Sequence, residues 1–185
     1  MPGLSEEALF IARNWETVED ILTATQRLRD ELAKVARSAV QSLADRPWWS
    51  AGWEARSSSQ SPAYICREHW VAGSAVAVWV GTERFTPESV FGAASPPLLY
   101  VWRPPTFAEL GSELAAALEA GGHVVIGELD SKPTSGYMVR HHVQKCLPEE
   151  LEGFTERVTG QIVEFMEHYA KVLMELDEVI RRHLG

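Results

Sequence analysis

The hydrophobic positions of the first forty-five residues recur at helical spacing. The apolar stripe consists of Ile11, Trp15, Val18, Leu22, Leu28, Leu32, Val35, Ala39 and Leu43. Its steps are mostly three and four residues, which places these side chains on one side of a helix. Ser5 suits the N-cap, and Pro47 marks the end because the residue before a proline avoids helical geometry. The pattern predicts one long helix, or two nearly collinear ones, over residues 5–45.

The last part of the chain repeats this pattern and predicts a second long amphipathic helix over residues 148–184. Its stripe consists of Phe154, Val158, Ile162, Phe165, Tyr169, Val172, Leu176, Val179 and Leu184. Pro148 suits the first helical position, whereas Gly153 and Gly160 weaken the early part of the helix. The two stripes either pair with each other or lie across a sheet. The bulk of Trp15 and Phe165 favours helices that also cover a sheet.

The middle of the chain, residues 48–147, changes period and is rich in β-branched and aromatic residues. Strands are predicted within residues 52–58, 63–71, 75–85, 97–103, 123–129 and 137–145. A helix is predicted over 106–120, with Thr106 and Glu109 as a capping box and Gly121 as its stop. Runs of strands with short connections indicate an α+β fold. We expect a single domain, 1–185, with a mostly antiparallel sheet of about five or six strands.

Charge and composition narrow the classes of partner. The formal net charge of −9 disfavours a broad nucleic-acid-binding face, which needs a basic surface for phosphate contacts. No apolar stretch approaches the length of a membrane span, and the N-terminus lacks the regions of a signal peptide. Cys66 and Cys146 are far apart in sequence and are interpreted as buried thiols rather than a disulfide. A cytoplasmic protein that does not bind membranes is expected.

Three tryptophans, Trp48, Trp49 and Trp53, lie within six positions after the end of the first helix, and we call them the Trp48–Trp53 corner. They are expected to lock the junction between helix and sheet. Because tryptophan and arginine are enriched at interface hot spots, the corner and the neighbouring Arg46 are also candidates for binding a protein partner. The sequence leaves both roles open.

Six histidines raise the question of a metal site, and the candidate ligands are His69, His123 and His141. Strand alternation over residues 137–143 places His141 on the same face as Tyr137, Val139 and Val143. His141 is therefore expected to be a hydrogen-bonded core histidine or to meet His123. No spacing typical of zinc sites is present, so neither a metal nor another cofactor is predicted.

Acidic residues suggest a hydrolytic alternative. The catalytic candidates are Glu68, Glu128, Asp130, Lys132 and His141. In an extended strand Glu128, Asp130 and Lys132 share one face, but the spacing is common by chance, and Pro133 follows directly. An exposed turn is the simpler interpretation of that segment. The alternative is a metal-dependent hydrolase or nuclease-like enzyme with a degenerate motif.

Taken together, these patterns favour a non-enzymatic interaction or assembly module. It would act through the amphipathic terminal helices and the aromatic-rich sheet, binding a protein partner or a second copy of itself. A third hypothesis is a small-molecule sensor. Its aromatic pocket, between sheet and helices, would be lined by Trp70, Trp79, Trp102 and Tyr100.

Overall fold

A six-stranded antiparallel sheet with helices packed against one face forms the body of the protein. The computed structural model describes residues 4–49, 52–59, 61–72, 75–76, 78–130 and 136–184. The helices are α1 (Glu6–Arg13), α2 (Trp15–Gln41), α3 (Pro87–Val90), α4 (Leu110–Ala120), α5 (Phe154–Glu175) and α6 (Asp177–Leu184). The strands are β1 (Trp53–Arg56), β2 (Ala63–Arg67), β3 (Val71–Ala72), β4 (Ala75–Val76), β5 (Trp79–Glu83), β6 (Leu98–Trp102), β7 (Glu128–Leu129) and β8 (Tyr137–His142). The predicted α+β class is confirmed.

The strand order of the main sheet is β1-β2-β5-β6-β8-β7, and β3 pairs with β4 in a separate two-stranded ribbon. Every pairing in the main sheet is antiparallel. Side chains alternate between the two faces of a strand. The helix-facing side therefore carries Ile65, Val80, Val101 and Val139, all fully buried.

The helix α5 lies at the centre of the helical layer. It contacts α2 on one side, α4 on the other, and β5 and β6 beneath. Nine of its side chains are buried, including Ile162, Phe165 and Tyr169 of the predicted stripe. The expectation that the terminal helices cover the sheet therefore holds for α5. The second half of α2 joins it in the same layer, because α2 contacts both α5 and β2.

Only part of the N-terminal stripe reaches the core. The first buried residue of α2 is Leu32, followed by Ala36, Ala39 and Val40, while α1 has no buried residue. Ser5 caps α1 as predicted, since its hydroxyl accepts a hydrogen bond from the Ala8 amide at 3.2 Å. The first half of α2 and all of α1 therefore extend without burial in the body.

Several element boundaries differ from the sequence prediction. The C-terminal region begins with a 3-10 turn at Pro148–Glu150, and α5 starts only at Phe154. Of the two glycines expected to weaken this helix, Gly153 lies at a break and forms the left-handed N-cap of α5, whereas Gly160 lies inside α5; a second break follows Glu175. The internal helix starts at Leu110, so the capping box predicted at Thr106 and Glu109 does not form; Thr106 lies in a preceding 3-10 turn. None of these helices is both long and apolar enough to cross a membrane within the described residues.

Two predictions about the sheet were wrong. The segment 123–129 forms a strand only at Glu128–Leu129, because β7 is a short edge strand paired with β8 alone. Tyr137 was placed on the face of Val139, but its ring packs on Tyr100 on the opposite face, with ring centroids 5.3 Å apart. The register shift between Val101 and Trp102 breaks simple alternation at that point.

Candidate functional site

The most exposed apolar surface of the protein lies on α1 and the first half of α2. We call it the tip stripe; it consists of Leu4, Leu9, Phe10, Ile11, Trp15, Ile21, Leu22 and Leu28. These are eight of the fifteen exposed large hydrophobic residues in the described part of the chain. Phe10 is 66% exposed, Trp15 56% and Leu22 61%. Isolated exposed apolar residues are ordinary, whereas large apolar patches are typical of interaction sites in proteins generally.

The tip stripe continues the buried stripe of the same helix. Leu22 and the buried Val40 are eighteen residues apart, or five full helical turns, so they lie on the same side of α2. From Leu32 onwards this side of α2 contacts α5 and β2. Before Leu32, apolar residues in the same pattern are exposed. Both halves of α2 have the same periodic pattern of apolar residues. They differ in burial, because the sheet and the other helices cover only the second half.

The junction between α1 and α2 is nearly continuous. The Asn14 amide donates to the carbonyl oxygen of Phe10 at 3.1 Å, and the Val18 amide donates to that of Asn14 at 3.0 Å. The Asn14 side chain adds a 2.8 Å hydrogen bond from Nδ2 to the Phe10 carbonyl. Helical hairpins need a loop of about two to five residues between their helices. With one residue at the junction, α1 cannot fold back to cover α2.

The Trp48–Trp53 corner packs at the junction between helix and sheet. Trp53 is 6% exposed and meets Trp70, which is fully buried, with ring centroids 5.4 Å apart. Trp48 lies 5.5 Å from Trp49 and 5.7 Å from Trp53 between ring centroids. Trp48 and Trp49 remain partly exposed at the edge of the core. This geometry fits a packed junction; its role in binding a partner stays a prediction.

Arg46 is exposed beside this corner and faces α5. Its Nε lies 3.9 Å from Oε2 of Glu167, and half of its side chain is accessible. Glu167 also accepts a 2.8 Å hydrogen bond from Lys171. The Lys171 hydrogen bond, aided by the charges of Lys171 and Arg46, lowers the pKa of Glu167 despite its partial burial. A partner that binds Arg46 would therefore have to replace a weak, solvent-exposed ion pair.

His141 is a partly buried histidine against the helical layer. Its ring stacks on Phe165 at 6.0 Å between centroids. Burial lowers the pKa of His141, and the charge of His142 lowers it further. Burial also lowers the pKa of His168, together with the charge of His123. Both side chains therefore favour the neutral form in the folded state.

These two shifts predict that acidification through the unfolded histidine value of 6.5 destabilises the protein. Unfolded histidines titrate near 6.5, so between that pH and the lower folded pKa values the unfolded chain binds more protons and stability falls. Thermal melts between pH 7.5 and 5.5 should show a decreasing Tm. The variant His141→Gln should reduce this pH dependence. A Tm that rises on acidification, or a dependence unchanged in the variant, would contradict the expectation.

His69 points to a carboxylate rather than to other histidines. Its Nε2 lies 2.6 Å from Oδ1 of Asp177, the first residue of α6. The same oxygen accepts from Arg67 at 2.9 Å and from Trp70 at 2.8 Å. An ionised carboxylate only accepts hydrogen bonds, so Nε2 of His69 carries a proton. The role of Asp177 leaves no signal in the sequence, since its partners lie more than one hundred positions away.

His123 contacts side chains of α5 rather than the other two candidate ligands. Its Nε2 is 3.1 Å from Oε1 of Glu175, and its ring centroid is 5.9 Å from that of His168. A surface groove of about 530 Å³ adjoins this pair and is lined by Ile126, His168 and Lys171 among others. His123, His69 and His141 do not converge, so the three predicted metal ligands form no common site.

The catalytic candidates are also dispersed. Glu68 is exposed after β2, whereas Glu128 lies on β7, four strands or about 19 Å away across the sheet. Asp130 is ion-paired with Arg140 at 3.2 Å, and its side chain is 6% exposed. Register places Glu128 and His141 on opposite faces. Lys132 lies outside the described residues. The described candidates therefore build no shared cleft.

The aromatic residues expected to line a pocket under the helices are divided between two faces. Trp79 and Trp102 stack at 3.9 Å between centroids on the face away from α5, together with Tyr100. Trp70 lies near Trp53 on the helix side. The predicted location of that pocket, and of Trp79 and Trp102 in it, was wrong. Alternation along β5 and β6 sets this division, because Val80 and Val101 occupy the helix-facing positions.

Neither a metal-binding cluster nor a known relative identifies the chemistry of this protein. Among the residues that the structure describes, no group of three or more His, Cys, Asp or Glu side chains is arranged to hold a metal ion. No family model matches the sequence. Comparison with curated proteins and with solved structures found no match either.

Proposed function

We propose that the protein is a non-enzymatic assembly module that self-associates through the tip stripe of α1 and α2. The observation that carries this proposal is the exposure of eight large apolar side chains on one projecting helical segment. Fully burying such a side chain stabilises a complex by about 1.5–3 kcal/mol relative to its exposed state. A second copy offers the same stripe, so two copies can cover each other.

Helix stability supports the same conclusion. Residues 4–31 form a segment about 40 Å long at 1.5 Å per residue, and none of its residues is buried. Most helical stability in proteins comes from packing of an apolar face, and isolated helices are marginal in water. Pairing supplies the packing that the monomer lacks. Oligomers formed by like surfaces are also the commonest kind in soluble proteins.

Light scattering after size exclusion, at several protein concentrations, tests this proposal. The wild-type chain should show twice the mass of one chain or a mass that rises with concentration. The double variant Trp15→Glu/Leu22→Glu places two charges in the stripe and should be monomeric throughout. Both positions are more than half exposed, so the fold of the body should be retained in circular dichroism and thermal melts.

Thr23→Glu is the matched control, because Thr23 is exposed and lies about 100° around α2 from Leu22, on the polar side between Glu19 and Arg27. Its mass should equal that of the wild type. A wild-type protein that is monomeric at every concentration would overturn the proposed function. So would a dimer of the double variant as stable as that of the wild type.

A further inference from the structure

A small apolar patch lies at the base of the exposed segment. We call it the basal patch; it consists of Phe91, Leu147 and Leu151, which are 38%, 50% and 57% exposed. Phe91 directly follows α3, and its ring lies 5.9 Å from that of Phe154. The Cys146 amide donates to the Val90 carbonyl at 3.0 Å, which holds the 146–147 segment against the end of α3.

The tip stripe leads towards this patch. Arg29 lies seven residues after Leu22, two helical turns further on the same side of α2. Its Nη2 forms a 2.9 Å ion pair with Oε1 of Glu88 in α3. The exposed side of α2 therefore ends at α3 and the basal patch. A helix laid along the stripe reaches this patch with its far end.

Charge is unevenly distributed along the same segment. Residues 6–20 contain five acidic side chains and one arginine. Residues 27–37 contain four basic side chains and two acidic ones. Two copies side by side in parallel would place acidic against acidic and basic against basic. Antiparallel copies place each acidic tip beside the basic base of the other, and flanking charges of this kind set helix orientation.

We infer that two copies pair antiparallel, with α1 of each copy seated against the basal patch of the other. This inference rests on the proposed function and adds the orientation and the second contact surface. An antiparallel pair centred near Val18 brings the partner's α1 alongside residues 23–30, where α3 begins to cover α2. Phe10 and Ile11 of that helix supply the apolar surface that covers Phe91 and Leu151. The acidic Glu6 and Glu7 then lie near the basic segment.

The orientation is tested by a distance between spin labels at Glu31→Cys, on the exposed surface of α2. The two native cysteines, Cys66 and Cys146, are buried, so the label reports on position 31. In the antiparallel pair, residue 31 of one copy lies about 26 residues along the helix from that of the other, or about 40 Å. A parallel pair would place the two residues 31 level with each other, on helices whose axes are only about 10 Å apart.

The basal patch is tested by Leu151→Ser and, as a second variant, Phe91→Ser. Each should raise the dimer Kd about tenfold, because an apolar side chain leaves the interface. Val124→Ser is the matched control, since Val124 is 76% exposed and lies outside the patch. Added salt should weaken the antiparallel dimer by screening its attractive charges.

A dimer whose label distance fits the parallel pair, or whose affinity is unaffected by both patch variants, overturns this inference and leaves the proposed function intact. A dimer that tightens with salt also contradicts the antiparallel arrangement. A wild-type monomer overturns the proposed function itself. A label distance of about 40 Å, together with weaker dimers of both patch variants, supports an antiparallel pair with α1 against the basal patch.

Discussion

Replacing Asp177 by alanine is expected to lower the free energy of unfolding by about 3–5 kcal/mol, because it leaves buried donors without their acceptor. Oδ1 accepts from Arg67, His69 and Trp70, and Oδ2 accepts from Arg181 at 2.8 Å. The Asp177 side chain is 15% exposed. This carboxylate joins α6 to the turn after β2, so its loss separates the end of the chain from the sheet. Urea unfolding at pH 7 measures the change.

The pH dependence provides a second readout. Burial raises the pKa of Asp177, but the hydrogen bonds from His69 and Trp70 and the charge of Arg67 outweigh it, so the net pKa is lowered. The stabilisation is therefore present above the unfolded value of 3.8 and is lost as the pH falls through the folded value. The difference between wild type and Asp177→Ala should shrink in that acidic range.

Asp45→Ala is the control for the same chemical change, because Asp45 is exposed at the end of the first helical region. It should alter stability by less than about 0.5 kcal/mol. Asp177→Asn keeps the shape and should have an intermediate effect. A loss of less than about 1 kcal/mol in Asp177→Ala would mean that the four donors are satisfied by water and that the carboxylate is not a structural link.

Trp70→Ala is the second large effect, with an expected loss of about 3–5 kcal/mol. The ring is fully buried, packs edge-on against Trp53 and donates from Nε1 to Asp177. Truncation leaves a cavity under the Trp48–Trp53 corner and removes one hydrogen bond. Trp70→Phe retains most of the packing and should cost less. Chemical denaturation followed by circular dichroism measures both variants.

Trp15→Ala is the matched control, since it removes the same side chain from a site that is 56% exposed. At a concentration where the chain is monomeric, Trp15→Ala should leave the free energy of unfolding nearly unchanged. At higher concentrations the variant should associate more weakly than the wild type. Trp70→Ala should do the reverse. Equal loss of stability in both variants would contradict the division of the tryptophans into a packed corner and an interaction surface.

The fold class followed from local patterns because helical and strand periods are properties of neighbouring residues. The stripe from Ile11 to Leu43 predicted the N-terminal helices, and Ser5 was recognised as their cap. Boundaries were less accurate where several signals competed. Thr106 and Glu109 have capping-box spacing, yet the Pro104–Pro105 pair starts a 3-10 turn and delays α4 to Leu110.

The sequence predicted the apolar stripes of the candidate site but not which of them is exposed. Amphipathicity predicted an apolar stripe on each terminal helix, but both stripes have the same signature. The stripe of α5 is buried on the sheet, whereas the tip stripe is exposed. Phe91 and Leu151 showed no pattern at all, because the basal patch is assembled by the packing of α3 against the start of α5.

Local periodicity thus determined which residues share a face: the stripes of α2 and α5, and the alternation of Trp79 with Val80. Tertiary structure decided which of those faces is covered, because burial depends on which elements meet and where the body ends. It also joined Asp177 to Arg67, His69 and Trp70 across more than one hundred positions. The exposed tip stripe is a consequence of that packing, since the sheet and the other helices bury side chains only in the second half of α2.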